Sequence, residues 1–133
     1  MSHNYSKTTH DIRISVEPVY LEHQSSPTDN QYAWAYNVRM ENMGKDEVQL
    51  ISRYWKITDA FGITKEVRGP GVVGEQPVLK PGSQFEYSSG TLLPTTSGIM
   101  AGTYQMVTTD GRALDVEIPA FSLDVPGQRI RFN

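Results

Sequence analysis

The clearest pattern in the chain is Tyr32-Ala33-Trp34-Ala35-Tyr36-Asn37-Val38-Arg39-Met40-Glu41, at residues 32–41. Its largest apolar side chains fall on every second position, and polar side chains fill the alternate positions after Tyr36. A period of two turns successive side chains to opposite faces of a strand. We therefore predict a β-strand with one buried face. Aromatic residues at this spacing are more typical of a core than of an exposed binding platform.

Six further segments carry a similar alternation, with turn sequences between them such as Asp59-Ala60-Phe61-Gly62 and Asp110-Gly111. They span residues 11–21, 48–57, 63–68, 85–89, 99–109 and 114–125. In the second of these, the apolar positions change parity after Leu50, which predicts a β-bulge near Ser52. No segment keeps a helical period, so we expect the strands to pair mostly antiparallel.

The composition supports a single β-rich domain. Val, Ile and Thr contribute 30 of the 133 residues, whereas Ala and Leu contribute 13, and Gly and Pro together contribute 19. β-Branched residues favour strands, and Gly and Pro favour the turns between them. Two sheets stacked face to face bury the apolar face of each. We predict an all-β fold, an immunoglobulin-like antiparallel β-sandwich of about seven strands. Tyr104 stands near the start of the sixth strand, either as in the tyrosine corner of such domains or as a core-facing residue of an ordinary strand.

The charge and the residue content exclude several classes of function. The net charge is −3, so no basic surface for nucleic acid is expected. No apolar run approaches the roughly 20 residues of a membrane-spanning helix. The chain has no cysteine, and therefore no disulfide, thiolate nucleophile or zinc–thiolate site. The polar segment at residues 1–10 lacks the apolar core of a secretory signal, and we expect a cytoplasmic location.

Catalytic and metal-binding patterns are also missing from the sequence. The histidines, His3, His10 and His23, do not have the spacing of a ligand pair, so neither a metal site nor a cofactor is predicted. There is no G-x-S-x-G elbow, and the serines have no recognisable histidine partner. We therefore predict that the chain is not an enzyme.

Residues 69–74, Gly-Pro-Gly-Val-Val-Gly, match the G-x-G-x-x-G fingerprint of phosphate-binding loops. That fingerprint binds a dinucleotide when a helix follows it, because the helix N-terminus receives the pyrophosphate. Pro77 and Pro81 preclude a regular helix here, and no acidic residue stands about 20 positions later to bind a ribose. A dinucleotide site is therefore not expected.

Two weaker interpretations of this segment remain open. Its glycine-rich backbone could form a nest of amides that holds an anion, with Arg68 beside it. Alternatively, residues 68–82 form a structured and exposed loop that contacts a partner. The candidate residues for either role are Arg68, Gly69, Gly71, Gly74 and Glu75.

Longer motifs extend this segment, and together they resemble the ApaG family. They are Arg-Tyr-Trp-Lys-Ile-Thr-Asp at residues 53–59, Glu-Val-Arg-Gly-Pro-Gly-Val-Val-Gly-Glu-Gln-Pro-Val-Leu-Lys-Pro-Gly at residues 66–82, Phe-Glu-Tyr-Ser-Ser-Gly at residues 85–90, Gly-Thr-Tyr-Gln-Met-Val at residues 102–107, and Ile-Pro-Ala-Phe-Ser-Leu at residues 118–123. The resemblance covers about residues 10–126, which we treat as one ApaG domain. Residues 1–9 are then a flexible N-terminus and residues 127–133 a tail, in which Arg129–Phe132 could add a strand or pair with a second copy to give a homodimer.

The resemblance implies a fibronectin type III-like sandwich, in agreement with the strand pattern, and it implies no catalytic residue. The family is linked in bacteria to cobalt and magnesium resistance and to a neighbouring diadenosine tetraphosphatase gene. Similar domains in eukaryotic F-box proteins and in a polymerase-delta-interacting protein look like protein-interaction modules. We expect a non-enzymatic interaction module with an unidentified protein partner. The alternative is binding of a phosphate or a nucleotide, such as a dinucleoside polyphosphate, through residues 69–74.

Overall fold

The structure is a computed structural model that describes residues 4–127. This range contains nine strands, two short 3₁₀ helices (Glu22–Gln24 and Pro27–Asp29) and no α-helix. The strands are β1 (Tyr5–Thr9), β2 (Ile12–Tyr20), β3 (Tyr32–Asn42), β4 (Val48–Asp59), β5 (Thr64–Pro70), β6 (Val78–Leu79), β7 (Gln84–Leu93), β8 (Ser97–Thr108) and β9 (Ala113–Asp124). The described part of the chain holds no helix long and apolar enough to span a membrane.

The strands form two antiparallel sheets that face each other. The first sheet has the order β1-β2-β3-β7, and the second has the order β5-β4-β8-β9. The short strand β6 pairs with β4 beyond the end of β5. Two stacked antiparallel sheets in this arrangement are an immunoglobulin or fibronectin type III-like sandwich. The predicted all-β fold is therefore confirmed.

All seven strands expected from the sequence are present, as β2, β3, β4, β5, β7, β8 and β9, and two more were not expected. The first is β1, which forms from Tyr5–Thr9 within the segment predicted to be a flexible N-terminus. It pairs antiparallel with β2, so part of residues 1–9 belongs to the sheet. The second is β6, two residues inside the expected loop at residues 69–82. The predicted strand at Arg129–Phe132 lies outside the described residues.

The core forms from the side chains that the alternation placed inward. Trp34 and Tyr36 are 4% and 6% exposed, so the aromatic positions of β3 belong to the core. Trp55 packs against Tyr36 of the facing sheet, with 5.1 Å between ring centroids, and meets Phe121 edge-on at 6.0 Å. Aromatic pairs in such tilted and edge-on arrangements add stability beyond the area that they bury.

Tyr104 is fully buried, but it does not form a tyrosine corner. In that motif the tyrosine hydroxyl bonds to backbone a few residues upstream. Here the Tyr104 hydroxyl lies 2.5 Å from the hydroxyl of Tyr87, on the facing sheet. The two tyrosines therefore join β8 to β7 across the core.

The two open sides of the sandwich differ. On one side, β1 approaches β9: the amide of Glu117 donates to Thr9 Oγ1 (3.2 Å), and Lys7 forms an ion pair with Glu117. Tyr5 adds a ring contact to Phe121, with 6.0 Å between centroids. On the other side, β7 and β5 are edge strands, and no strand of residues 4–127 bridges them. This second side positions the candidate site.

Candidate functional site

The G-x-G-x-x-G segment folds back on itself as a two-residue turn. The amide of Val72 donates to the carbonyl of Glu75, and the amide of Glu75 donates to the carbonyl of Val72, both at 2.8 Å. Between them, Val73 and Gly74 have positive φ angles of 44° and 80°. Positive φ at both central residues is the requirement of a type I′ turn. We call residues 72–75 the motif turn.

The bulge of β4 holds the motif turn in place. The register between β4 and β8 shifts between Leu50 and Ser52, as the change of parity predicted. At this bulge the carbonyl of Ile51 accepts from the amide of Gly71 and from Gln76 Nε2, each at 2.9 Å. The amide of Leu50 also donates to the carbonyl of Pro77 (3.0 Å). The segment on either side of the motif turn is therefore anchored to one irregularity in the sheet.

Arg53 is a second anchor for this segment. Its Nη1 donates to the carbonyls of Pro70 and Gly71, at 3.0 and 2.9 Å. The guanidinium also packs so closely on Gly69 that a Cβ added there would lie 2.9 Å from Nη1. Gly69 and Pro70, expected in a loop, are thus the last residues of β5, held by an arginine of β4.

The motif does not have the geometry of a dinucleotide-binding loop. Residues 75–127 contain no helix after Gly74, as Pro77 and Pro81 predicted. The amides of Gly71, Val72 and Glu75 already donate to carbonyls of the protein. Phosphate binding by such a loop needs convergent amides that are free to donate, and most of those in this loop are committed elsewhere.

Arg68 lies apart from the other candidate residues. Its guanidinium sits over the ring of Tyr54, 4.2 Å from the centroid, as a cation–π contact. The hydroxyl of Tyr54 donates to Glu66 Oε1 (2.6 Å), and this bond raises the pKa of Tyr54. Gly69, Gly71, Gly74 and Glu75 remain together in and beside the motif turn. Arg68 instead belongs to the outer face of the second sheet.

Behind the motif turn, a cleft enters the sandwich between the edge strands β5 and β7. It consists of two neighbouring cavities of about 380 and 210 Å³. Both cavities are lined by Tyr36, Arg53, Trp55 and Ser89. The first is bordered by the motif turn and Tyr87, and the second by Lys65 and Val67. Most ligand pockets lie between about 300 and 1,000 Å³ and are mainly apolar with a few polar groups.

The cleft is positively charged in a chain whose net charge is −3. Arg53 and Lys65 line it, and no carboxylate does. Within residues 4–127, Arg53 forms no ion pair. Burial raises the pKa of Tyr87 and of Tyr104 above the ordinary value, so neither hydroxyl supplies a negative charge beside Arg53. Arg53 was not among the residues selected from the sequence.

A sequence signal for Arg53 exists. After the bulge, Ile57, Trp55 and Arg53 share one parity of β4, and Trp55 and Ile57 are buried core residues. An arginine on the buried face of a strand is unusual, because a buried charge requires a partner or a polar cavity. That parity could have identified Arg53 before the structure did.

A larger concavity, about 750 Å³, lies on the outer face of the first sheet. Its two arginines share one carboxylate, since Arg13 binds Glu41 through two hydrogen bonds and Arg39 lies 3.2 Å from the same group, and Glu17 and Glu86 add negative charge to the lining. These contacts lower the pKa of Glu41. In the described range, no group of three His, Asp or Glu side chains could hold a metal ion. The cleft between β5 and β7 and the motif turn are therefore the candidate binding sites.

Comparison with known proteins identifies the relatives of this chain. A family model described as the ApaG domain matches residues 22–108. Protein ApaG of Paramagnetospirillum magneticum is 60% identical over 129 residues, covering 97% of this chain and 99% of that protein. Protein ApaG of Rhodospirillum centenum is 59% identical with the same coverage. The crystal structure of a Bordetella pertussis protein described as ApaA superposes with a TM-score of 0.86 at 47% identity, over 91% of this chain and 98% of that one. The family model covers more than half of the chain and these relatives match nearly all of it, so the chain belongs to the ApaG family.

Proposed function

We propose that this chain is a non-enzymatic interaction module that binds a protein partner through the motif turn. The observation that carries the proposal is the conformation of Val73. This residue has a φ of 44°, in the left-handed region, and its side chain is 56% exposed. A β-branched residue in this region is an outlier that costs about 1–3 kcal/mol.

We interpret the strain at Val73 as functional, because another residue could form the same turn with less strain. Asn-Gly is the preferred pair for a type I′ turn, and asparagine tolerates positive φ. Val73 contributes little to the core from its exposed position. Strained residues that persist in rigid, exposed positions are concentrated at binding sites. We therefore interpret Val73 as a recognition side chain.

The surroundings of Val73 fit a protein contact. Val78 on the same anchored segment is 50% exposed, so this segment presents two aliphatic residues to solvent. Glu75 and Lys80 are exposed nearby and supply a polar rim. An apolar centre within a polar rim is the usual anatomy of a protein interface. In this proposal, the cobalt and magnesium resistance implied by the family resemblance acts through the partner.

The test is the variant Val73→Asn, which separates binding from folding. We expect it to raise the free energy of unfolding by about 1 kcal/mol, because Asn-Gly relieves the strain at φ 44°. The tagged full chain is immobilised in its wild-type and variant forms. Each form is incubated with a cell extract of the organism that encodes the protein, and the retained proteins are quantified by mass spectrometry. A partner bound by the wild type should be lost from Val73→Asn.

Glu17→Ala, on the outer face of the first sheet, is the matched control and should retain the partner. The double variant Arg68→Ala/Glu75→Ala tests whether the flanking charges contribute. If Val73→Asn retains every protein that the wild type retains, or if the wild type retains none above this variant, the motif turn is not the interface.

A further inference from the structure

We propose that the cleft between β5 and β7 is a binding site for a small organic carboxylate, held by Arg53 with its apolar body between the sheets. The proposal goes beyond the interaction surface at the motif turn and does not depend on it, since the ligand would lie behind the turn. It rests on the unused donors of Arg53, on the charge of the cleft and on the chemistry of its walls.

Arg53 uses only part of its hydrogen-bonding capacity within residues 4–127. A guanidinium carries five N–H donors in a planar fork, and the two on Nη1 bind the carbonyls of Pro70 and Gly71. In residues 4–127, the donors on Nε and Nη2 have no acceptor. The Nη1 bonds and the packing on Gly69 also restrict the rotation of the guanidinium. A pre-oriented guanidinium edge with free Nε and Nη2 matches the two oxygens of a carboxylate.

The charge of the cleft favours an anion. Arg53 is half-buried, the carbonyls of Pro70 and Gly71 replace the hydration of Nη1 alone, and the cation has no carboxylate partner within residues 4–127. Lys65 lines the second cavity and adds a further positive charge. The neutral hydroxyls of Tyr36, Tyr87 and Ser89 complete the polar lining. An incoming carboxylate would supply the missing countercharge.

The remaining walls favour an apolar body on that carboxylate. Trp55, Ile57, Val67 and Val72 line one or both cavities. The indole Nε1 of Trp55 is buried and has no hydrogen-bond partner among residues 4–127. Trp34 Nε1 is buried in the same way, so this donor does not by itself indicate a ligand; it makes the Trp55 indole a resonance that reports on the cleft wall. The volume of about 380 Å³ in the larger cavity accommodates a single aromatic ring with its carboxylate.

Titration with sodium benzoate tests the proposal, with benzamide as the uncharged probe of similar shape. The readouts are the indole N–H resonance of Trp55 and the backbone amides of residues 69–74 in ¹⁵N–¹H spectra. Trp34 is an internal control, because its Nε1 is also buried and unpartnered but lies outside the cleft. Benzoate up to about 20 mM, enough to detect a millimolar Kd, should shift Trp55 and not Trp34, and benzamide should shift neither.

Variants connect the shifts to the charged side chains. Arg53→Lys keeps the charge but removes the fork, and we expect an affinity at least about 10-fold lower. Lys65→Gln should weaken binding about 2- to 3-fold through lost attraction at the cleft, as expected for an exposed charge. Arg68→Gln makes the same change of charge on the same strand, but on the outer face, and should bind as the wild type does.

The remaining outcomes decide against the proposal. A wild-type protein that does not respond to benzoate, or responds equally to benzamide, has no carboxylate site in the cleft. A response to inorganic phosphate without one to benzoate would show that the cleft binds an inorganic anion and not an organic carboxylate. If Arg53→Lys does not fold, the comparison of Lys65→Gln with Arg68→Gln decides, and equal affinities there overturn the assignment.

Discussion

At the scale of single residues, the three glycines of the motif serve packing and turn geometry. A Cβ on Gly71 would lie 2.3 Å from the carbonyl oxygen of Glu75, so the motif turn can close only on a glycine. Gly69 leaves room for the guanidinium of Arg53. Gly74 has nothing within 4 Å of the position of a Cβ and is required only for its φ of 80°. Each glycine therefore has a structural reason that does not involve phosphate.

These reasons predict unequal effects of alanine at Gly71 and Gly74. Gly71→Ala forces a side chain onto backbone, and we expect a loss of about 3 kcal/mol or more in the free energy of unfolding. Gly74→Ala adds only the strain of a positive φ, about 1 kcal/mol. Urea denaturation of both variants measures the difference. Equal losses would show that the contact with Glu75 does not restrict residue 71.

At the scale of strands, the hydroxyls of Tyr87 and Tyr104 join the two sheets by one hydrogen bond between β7 and β8. Tyr104 is completely buried, and Tyr87 is half-buried at the edge of the cleft. Burial disfavours the phenolate, and it raises the pKa of both groups above the ordinary value of 10.0. The folded state therefore keeps both protons at a pH where the unfolded chain loses them.

This difference predicts that alkali weakens the fold. Below pH 10, both states hold the tyrosine protons, so the pair adds no pH dependence. As the pH rises above 10, the unfolded chain binds fewer protons than the folded one, and the free energy of unfolding falls. Urea denaturation between about pH 9 and pH 11 measures the slope.

The double variant Tyr87→Phe/Tyr104→Phe removes both titrating groups and should give a shallower slope. At pH 7 it should remain close to the wild type in stability, because replacing both partners of a buried hydrogen bond is nearly neutral. Tyr20→Phe, which leaves the pair intact, is the control. A double variant with an unchanged slope would mean that other groups cause the alkaline loss.

Taken over all of residues 4–127, the sandwich is closed on one side and open on the other. Strand β1 covers the edge of β2 and reaches β9 through Tyr5, Lys7 and Thr9. The opposite side is left open between β5 and β7, and the cleft and the motif turn lie there. Because β1 pairs with β2 and also contacts β9, it links the two sheets on the closed side.

Deletion of residues 1–9 should therefore destabilise the protein, contrary to what a flexible N-terminus would do. We expect the free energy of unfolding to fall by about 2 kcal/mol, from the lost burial of Tyr5 and the exposed edge of β2. Urea denaturation measures this loss. Lys7→Ala, which removes only a surface ion pair, should stay within about 0.5 kcal/mol of the wild type. A deletion variant as stable as the wild type would show that β1 adds nothing.

The strand pattern was readable from the sequence because its causes are local. Alternation in β3 specifies which side chains face the core, and the change of parity in β4 specifies the bulge between Leu50 and Ser52. The prolines after Gly74 likewise excluded a helix by their own covalent geometry. β1 could not be recognised in this way, because Tyr-Ser-Lys-Thr-Thr has no apolar alternation and becomes a strand only by pairing with β2.

Alternation, family motifs and proline geometry can all be read along the chain, and from them follow the all-β sandwich, the family and the expectation of a loop instead of a helix after Gly74. The tertiary contacts, by contrast, place Arg68 on an outer face and show that Arg53 anchors the motif and lines a cleft. These outcomes depend on which strands become neighbours across two sheets. The parity of β4 marks Arg53 as an arginine on the buried face, but its contacts with Pro70 and Gly71, 17 and 18 residues away along the chain, form only when β4 and β5 pair.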